Sequence, residues 1–339
     1  MGWVGGITAL IGLFASLAGG VAWFVNHHRQ QAEVQSKMAL AEAQAMQAEY
    51  QASLESTGDI LKTDPLYRPA LDQQLKTAML WVEDFHVPAQ ENQNAADLAA
   101  RALDQILPIL DAGLTRSKGT PAADIQAHIG WAHWLNQHIA EREFGTAAEK
   151  DLRAALTSDP SNVYANAMLG NWMLQNGGSF PEAIQHFDAA IATGKARPLV
   201  RKLQLGGLLY LDQKGARAAL LKAVNDMRKS GEPLDESQKR RILGFCFDPV
   251  VVDHSELEES LTAAPSDEIW KTYLWLDNMP EDAQGQKEVN DFISANLLEL
   301  AGKRSEALEE YRRLQKQLPD QPGIFKNSVD AAIARVSQH

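Results

Sequence analysis

The 339-residue chain has one cysteine, no basic stripe, no long alternation of apolar and polar residues, and no Asp, Glu, Lys or Arg before Arg29. Each absence excludes something. A single thiol, Cys246 in ILGFCF, rules out an intrachain disulfide framework and any multi-cysteine metal site, and it reads as a buried small hydrophobe. Without alternation a strand has no half-buried face to offer; VVV from Val250 is the one β-branched cluster, so the chain reads as nearly all helix. A net charge of -12 with no basic stripe argues against nucleic acid as a partner, because phosphates are held by clustered cations that release counterions. No P-loop, dinucleotide glycine pattern, G-x-S-x-G elbow or H-E-x-x-H occurs, so neither an enzyme nor a cofactor is expected.

The charge-free start, MGWVGGITALIGLFASLAGGVAWFVNHH, exceeds the apolar core of a signal peptide and lacks its basic beginning. ASLAGG resembles a cleavage site, but VAWFV continues past it, and Trp3 and Trp23 sit where indoles settle at membrane interfaces. Residues 1–26 are therefore expected to be a retained transmembrane helix giving a single-pass protein. Arg29 and Lys37 follow the span and place the remainder in the cytoplasm, with a periplasmic placement left open. Gly12, Ser16 and Gly20 recur every fourth residue, which suits a close contact with a second span, including self-association, or reflects the frequency of small residues in spans.

Residues 27–58, rich in Ala, Gln, Glu and Met, read as a solvated helical spacer ended by Gly58. In 59–120, LDQQLKTAMLWVEDF and NAADLAARALDQILPIL carry apolar residues at three- and four-residue steps and form a helical pair. In 121–231 a grid recurs. Ala148, Leu152, Ala155 and Pro160 are spaced as are Ala307, Tyr311, Leu314 and Pro319, with Gly130 and Ala295 upstream of each set. Leu169, Gly170, Met173, Ala183, Phe187 and Ala190 lie close to the same grid. RKLQLGGLLYLDQKGARAALLKAVNDM keeps Leu205, Gly206 and Leu209 but no large aromatic on its second helix.

These residues resemble the tetratricopeptide repeat, a helix-turn-helix unit of about 34 residues that stacks into an α-solenoid. The resemblance covers about half the chain, with units near 123–162, 163–198 and 288–321 and a degenerate one at 199–231. Residues 232–287 fit no repeat and read as an irregular helical insertion; GIFKNSVDAAIARV, closing 288–339, reads as a capping helix. The resemblance implies protein partners held in a groove lined by first helices: Trp131, Trp134 and Leu135, then Tyr164, Asn171 and Gln175, then Phe292 and Asn296. For Trp131 and Trp134, packing between units is an equal alternative.

His128, His133 and His138 invite a metal, but steps of five turn roughly 140° around a helix and separate the imidazoles. DPVVVDHSELEES is acidic, and the S-x-x-E of Ser255 and Glu258 makes a capping box that accounts for most of it. The expectation is a membrane-anchored adaptor that recruits or assembles other proteins, placed by the resemblance at a bacterial inner membrane. Its alternatives are a permanent subunit of a larger membrane complex, and an enzyme built on Asp253 and His254.

Overall fold

The computed structural model describes all residues except 1–26, 86–92, 141–146, 210, 212, 214, 248–255, 257–258, 261–262, 277–283, 319–323 and 339. Two compact units make up the chain, 1–169 and 170–339. Unit 1 holds α1 (27–46), α2 (Tyr50–Thr63), α3 (Arg68–Asp84), α4 (Gln93–Arg116), α5 (Thr120–Ala140), α6 (Ala147–Ser158) and the start of α7 (Val163–Gln175). Unit 2 holds the rest of α7, α8 (Phe180–Ala192), α9 (Arg197–Leu208), α10 (Ala216–Ser230), α11 (Glu236–Phe247), α12 (Ser266–Leu276), α13 (Gln284–Leu300), α14 (Arg304–Gln317) and α15 (Ile324–Ser337). The described residues contain no strand.

Among the described residues no helix is long and apolar enough to cross a membrane. This corrects the expected architecture. The all-helical reading stands, whereas the N-terminal transmembrane helix and the single-pass location have no described helix behind them. Residues 1–26, with Gly12, Ser16 and Gly20, lie outside the described residues. The expected spacer is also different. Helix α1 carries Arg29, Glu33, Lys37 and Glu42, ends at a turn where Ala48 takes φ 60°, and packs on α2 through buried Ala41 and Ala45. Ser53 donates to the carbonyl of Ala41 at 2.8 Å and lies 3.0 Å from the Thr77 hydroxyl, so buried hydroxyls tie α1, α2 and α3 together. Gly58 lies inside α2, which runs on to Thr63.

Short apolar side chains set how closely the later helices approach. Gly130 on α5 faces α6 so tightly that an added Cβ would sit 3.0 Å from Leu152 and 3.1 Å from the Ala148 carbonyl. Gly170 on α7 faces α8 in the same way, 3.0 Å from the Ala183 carbonyl and 3.1 Å from the Phe187 ring. In α9 the close contact falls on Gly207, 2.9 Å from Leu174, while Gly206 faces open space. The Gly207 contact is with α7, whereas Gly130 and Gly170 each meet the helix that follows their own.

Helix ends follow local chemistry. Pro181 fits the first turn of α8, where its missing N–H costs nothing, and the Ser179 hydroxyl accepts from the Glu182 N–H at 3.4 Å. Gly231, at φ 71°, closes α10, and the Glu232 N–H returns to the Met227 carbonyl at 2.9 Å. In 232–287, α11 and α12 pack on each other and on α10, so this stretch is part of the helical packing. Helix α15 packs on α14, and Arg335 reaches both carboxylate oxygens of Glu299 on α13 at 2.8 and 2.7 Å. The Tyr311 hydroxyl donates to the same carboxylate at 3.0 Å.

Candidate functional site

Helix α5 is the centre of unit 1, packed against α3, α4 and α6. Its three flanks leave little of it outward. Trp131 and Trp134 stack at 4.3 Å between centroids with planes 17° apart, and His138 stacks on Trp134 at 4.3 Å. Trp131, Trp134 and Leu135 are 5%, 8% and 1% exposed, so all three face the interior. Among the described residues the Trp134 indole N–H has no hydrogen-bond partner, and neither does the amide of Asn136, which is also buried.

The same helix carries a polar seam that the sequence reading did not assemble. His128 is fully buried, its Nδ1 2.7 Å from the Asp124 carbonyl and its Nε2 3.0 Å from a carboxylate oxygen of Glu83 on α3. The ring lies 4.7 Å from that of Tyr164 on α7. Burial, reinforced by the charges of Glu83 and Asp124, pushes the Tyr164 phenol up to about 12. Asn162 joins this seam to a helix start: its Nδ2 donates to Asp124 at 2.6 Å, and its Oδ1 accepts from the Ala165 N–H at 2.9 Å, capping α7. On the opposite flank, the Asp151 carboxylate of α6 meets His133 at 2.8 Å and accepts from Gln126 at 2.8 Å.

The three histidines therefore address different neighbours: His128 meets α3, His133 meets α6, and His138 bonds the Trp134 carbonyl within α5. Among the described residues no group of three His, Cys, Asp or Glu side chains is placed to hold a metal ion. Asp253 and His254 lie outside the described residues. Two neighbouring acids are engaged internally: Glu256 pairs with Arg217 at 2.8 Å, and Glu259 accepts from the Gly215 N–H at 2.6 Å. Cys246 is buried, and burial raises its thiol far above the ordinary range.

The remaining groove candidates divide the same way. Asn171 is buried and donates to the Leu203 carbonyl of α9 at 2.7 Å. Asn296 is buried and donates to the Phe292 carbonyl one turn earlier at 2.9 Å, while Phe292 packs against Tyr311 and Phe325 at 5.7 Å each. Tyr164 is half-buried and Gln175 is exposed. Six of the eight expected partner-binding side chains thus hold the chain's own helices together. The first-helix face of α9 holds charge as well: Arg197 and Arg201 grip Glu232 at 2.8 and 3.1 Å. Burial alone would raise that carboxyl, but hydrogen bonds from Arg201 and Ser230 and both arginine charges hold it below the usual range. Arg197 and Arg201 stand four residues apart in RPLVRK, a spacing that could have drawn attention to them.

No family model matches the chain, and no curated protein matches it.

Proposed function

We propose that the chain is a non-catalytic, tetratricopeptide-like helical scaffold that binds another protein. One observation carries this reading. The same glycine contact joins both hairpins, Gly130 against Ala148 and Leu152 in α5–α6, and Gly170 against Ala183 and Phe187 in α7–α8. A repeated backbone-level contact of this kind closes one helical hairpin, and hairpins of the tetratricopeptide type present surfaces suited to protein ligands. The accessible part of that surface is narrower than the sequence reading held, because Trp131, Trp134, Leu135, Asn171, Phe292 and Asn296 are internal. Gln175, at the exposed end of α7, remains available, with the outer part of Tyr164.

A second reading, a permanent subunit of a larger protein complex, draws on a different observation. Leu40, Met46, Leu66 and Leu98 are 51%, 86%, 84% and 62% exposed, and all belong to the first four helices and their turns. In this reading a partner covers these side chains and removes their apolar surface from water.

Photoreactive residues placed singly at Gln175 and at Leu66 in the full chain, in its native extract, separate the two readings. The scaffold reading expects position 175 to trap a protein that reciprocal purification recovers, and Gln175→Arg to weaken that recovery without moving the unfolding midpoint. Trapping at position 66 in fixed ratio, with none at 175, supports the subunit reading. Trapping at neither position contradicts both.

A further inference from the structure

We infer that Asn176 is a self-modifying site: the backbone nitrogen of Gly177 attacks its side-chain amide, ammonia leaves, and a carboxylate replaces the amide in the turn between α7 and α8. Asn176 and Gly177 form the one Asn-Gly pair in the chain. A glycine in second place matters because its nitrogen has no Cβ beside it to block the approach. The surroundings leave that approach open. A Cβ built on Gly177 would meet nothing within 4 Å, and Asn176 and Gly177 are both exposed.

The hydrogen bonds of the turn set this glycine apart. Gly194, Gly231 and Gly302 stand at the ends of α8, α10 and α13 with φ of 71°, 71° and 77°. Each ties its N–H back to a carbonyl, of Ile191 at 3.0 Å, Arg228 at 3.3 Å and Glu299 at 3.0 Å. Gly177 has the same φ of 71°, yet among the described residues its N–H has no hydrogen-bond partner. The turn is closed by Gly178 instead, whose N–H donates to the Met173 carbonyl at 2.7 Å. The nitrogen that must lose its proton and attack is thus the unbonded one. The Asn176 amide is held by an exposed bond, Nδ2 donating to the Trp172 carbonyl at 2.8 Å. Such a bond is worth about 1 kcal/mol net against water, so it does not lock the amide away from Gly177. The three asparagines upstream are placed against the same reaction. Asn162, Asn166 and Asn171 are buried and hydrogen-bonded, and Val163, Ala167 and Trp172 follow them.

Hydroxide takes the Gly177 amide proton as the nitrogen bonds to Asn176 Cγ. The Cγ–Nδ2 bond breaks, Nδ2 leaves with a proton from water as ammonia, and a succinimide ring remains. Water then opens the ring. Breaking the new N–Cγ bond gives aspartate; breaking the bond from that nitrogen to the Asn176 main-chain carbonyl carbon gives isoaspartate, whose backbone runs through Cβ and Cγ. One water is consumed for each ammonia released. Either product sets a negative charge at the C-terminal end of α7, where the helix dipole disfavours it, and a carboxylate has no hydrogen to give the Trp172 carbonyl. The conversion loosens the end of α7.

The test is incubation of the folded full chain at pH 6 and pH 9, beside a synthetic LQNGGSF peptide that supplies the rate of the same residues without the fold. Fragmentation of tryptic peptide 154–195 reads Asn162, Asn166, Asn171 and Asn176 in one spectrum. Replacement of NH2 by OH is expected at Asn176 before the other three, and faster at pH 9 than at pH 6. An Asn176 still intact at pH 9 when the peptide has fully converted, or one that reacts no sooner than the other three, overturns the site. Asn176→Asp, which carries one product's side chain from the start, should lower the unfolding midpoint by about 2–4 °C. An unchanged midpoint overturns the loosening of α7.

Discussion

The Asn171 side chain donates to the backbone carbonyl of Leu203 at 2.7 Å, fixing α7 to α9 in the interior of unit 2. An amide at that point is a structural fastener whose partner is a fixed carbonyl. Asn171→Ala should cost about 1–2 kcal/mol in urea unfolding. Asn171→Asp should cost more, because it turns a carboxylate oxygen toward a carbonyl; equal midpoints for the natural protein and both variants would refute the assignment.

Gly206 of α9 and Gly170 of α7 give a matched comparison. Gly206 faces open space, so Gly206→Ala should gain up to about 1 kcal/mol from helix propensity alone. Gly170→Ala gains the same propensity but drives a Cβ to 3.0 Å from the Ala183 carbonyl, a backbone atom that cannot swing aside. It should lose about 1–3 kcal/mol net. Thermal unfolding of the two variants should move in opposite directions.

The turn between α1 and α2 holds Ala48 at φ 60°, a left-handed conformation that costs an L-residue roughly 1–2 kcal/mol. Ala48→Gly should raise stability by about 1 kcal/mol or less, since glycine also has more freedom to lose on folding. The same substitution at Ala45, which is buried within α1, should lower it by a similar amount or more.

At low pH, Glu268 of α12 sets part of the response of unit 2. Hydrogen bonds from Lys229 and Lys271, aided by both lysine charges, hold its carboxyl down to about 2. A lowered carboxyl contributes stability above its unfolded value near 4.5 and loses it as pH falls toward 2. Glu268→Gln should flatten the fall in unfolding midpoint across that window and leave the response above pH 5 unchanged.

The helical character of the chain and the close approaches at Gly130 and Gly170 were legible because they depend on spacing along one or two helices. What escaped depends on phase and on neighbours distant in sequence. Gly206 and Gly207 are adjacent, and only the position of Leu174 and Asn171 on α7 decides which meets α9's neighbour. The break between α1 and α2 has no proline or glycine to announce it, because Ala48 supplies the left-handed residue. Trp131, Trp134 and Leu135 are buried, and spacing within one hairpin does not carry that outcome. Packing by α3 and α4 as well as α6 covers the face that a lone hairpin would leave free. Glu83 was invisible for a related reason: its partner His128 lies 45 residues later.

The measurement that bears most directly on this account is equilibrium unfolding of Trp131→Ala, read beside the yield of protein trapped at position 175. An internal Trp131 stacked on Trp134 predicts a loss of about 3–5 kcal/mol, with binding at Gln175 retained under conditions where the variant is folded. An unchanged midpoint together with abolished trapping would place Trp131 at the ligand and contradict the account.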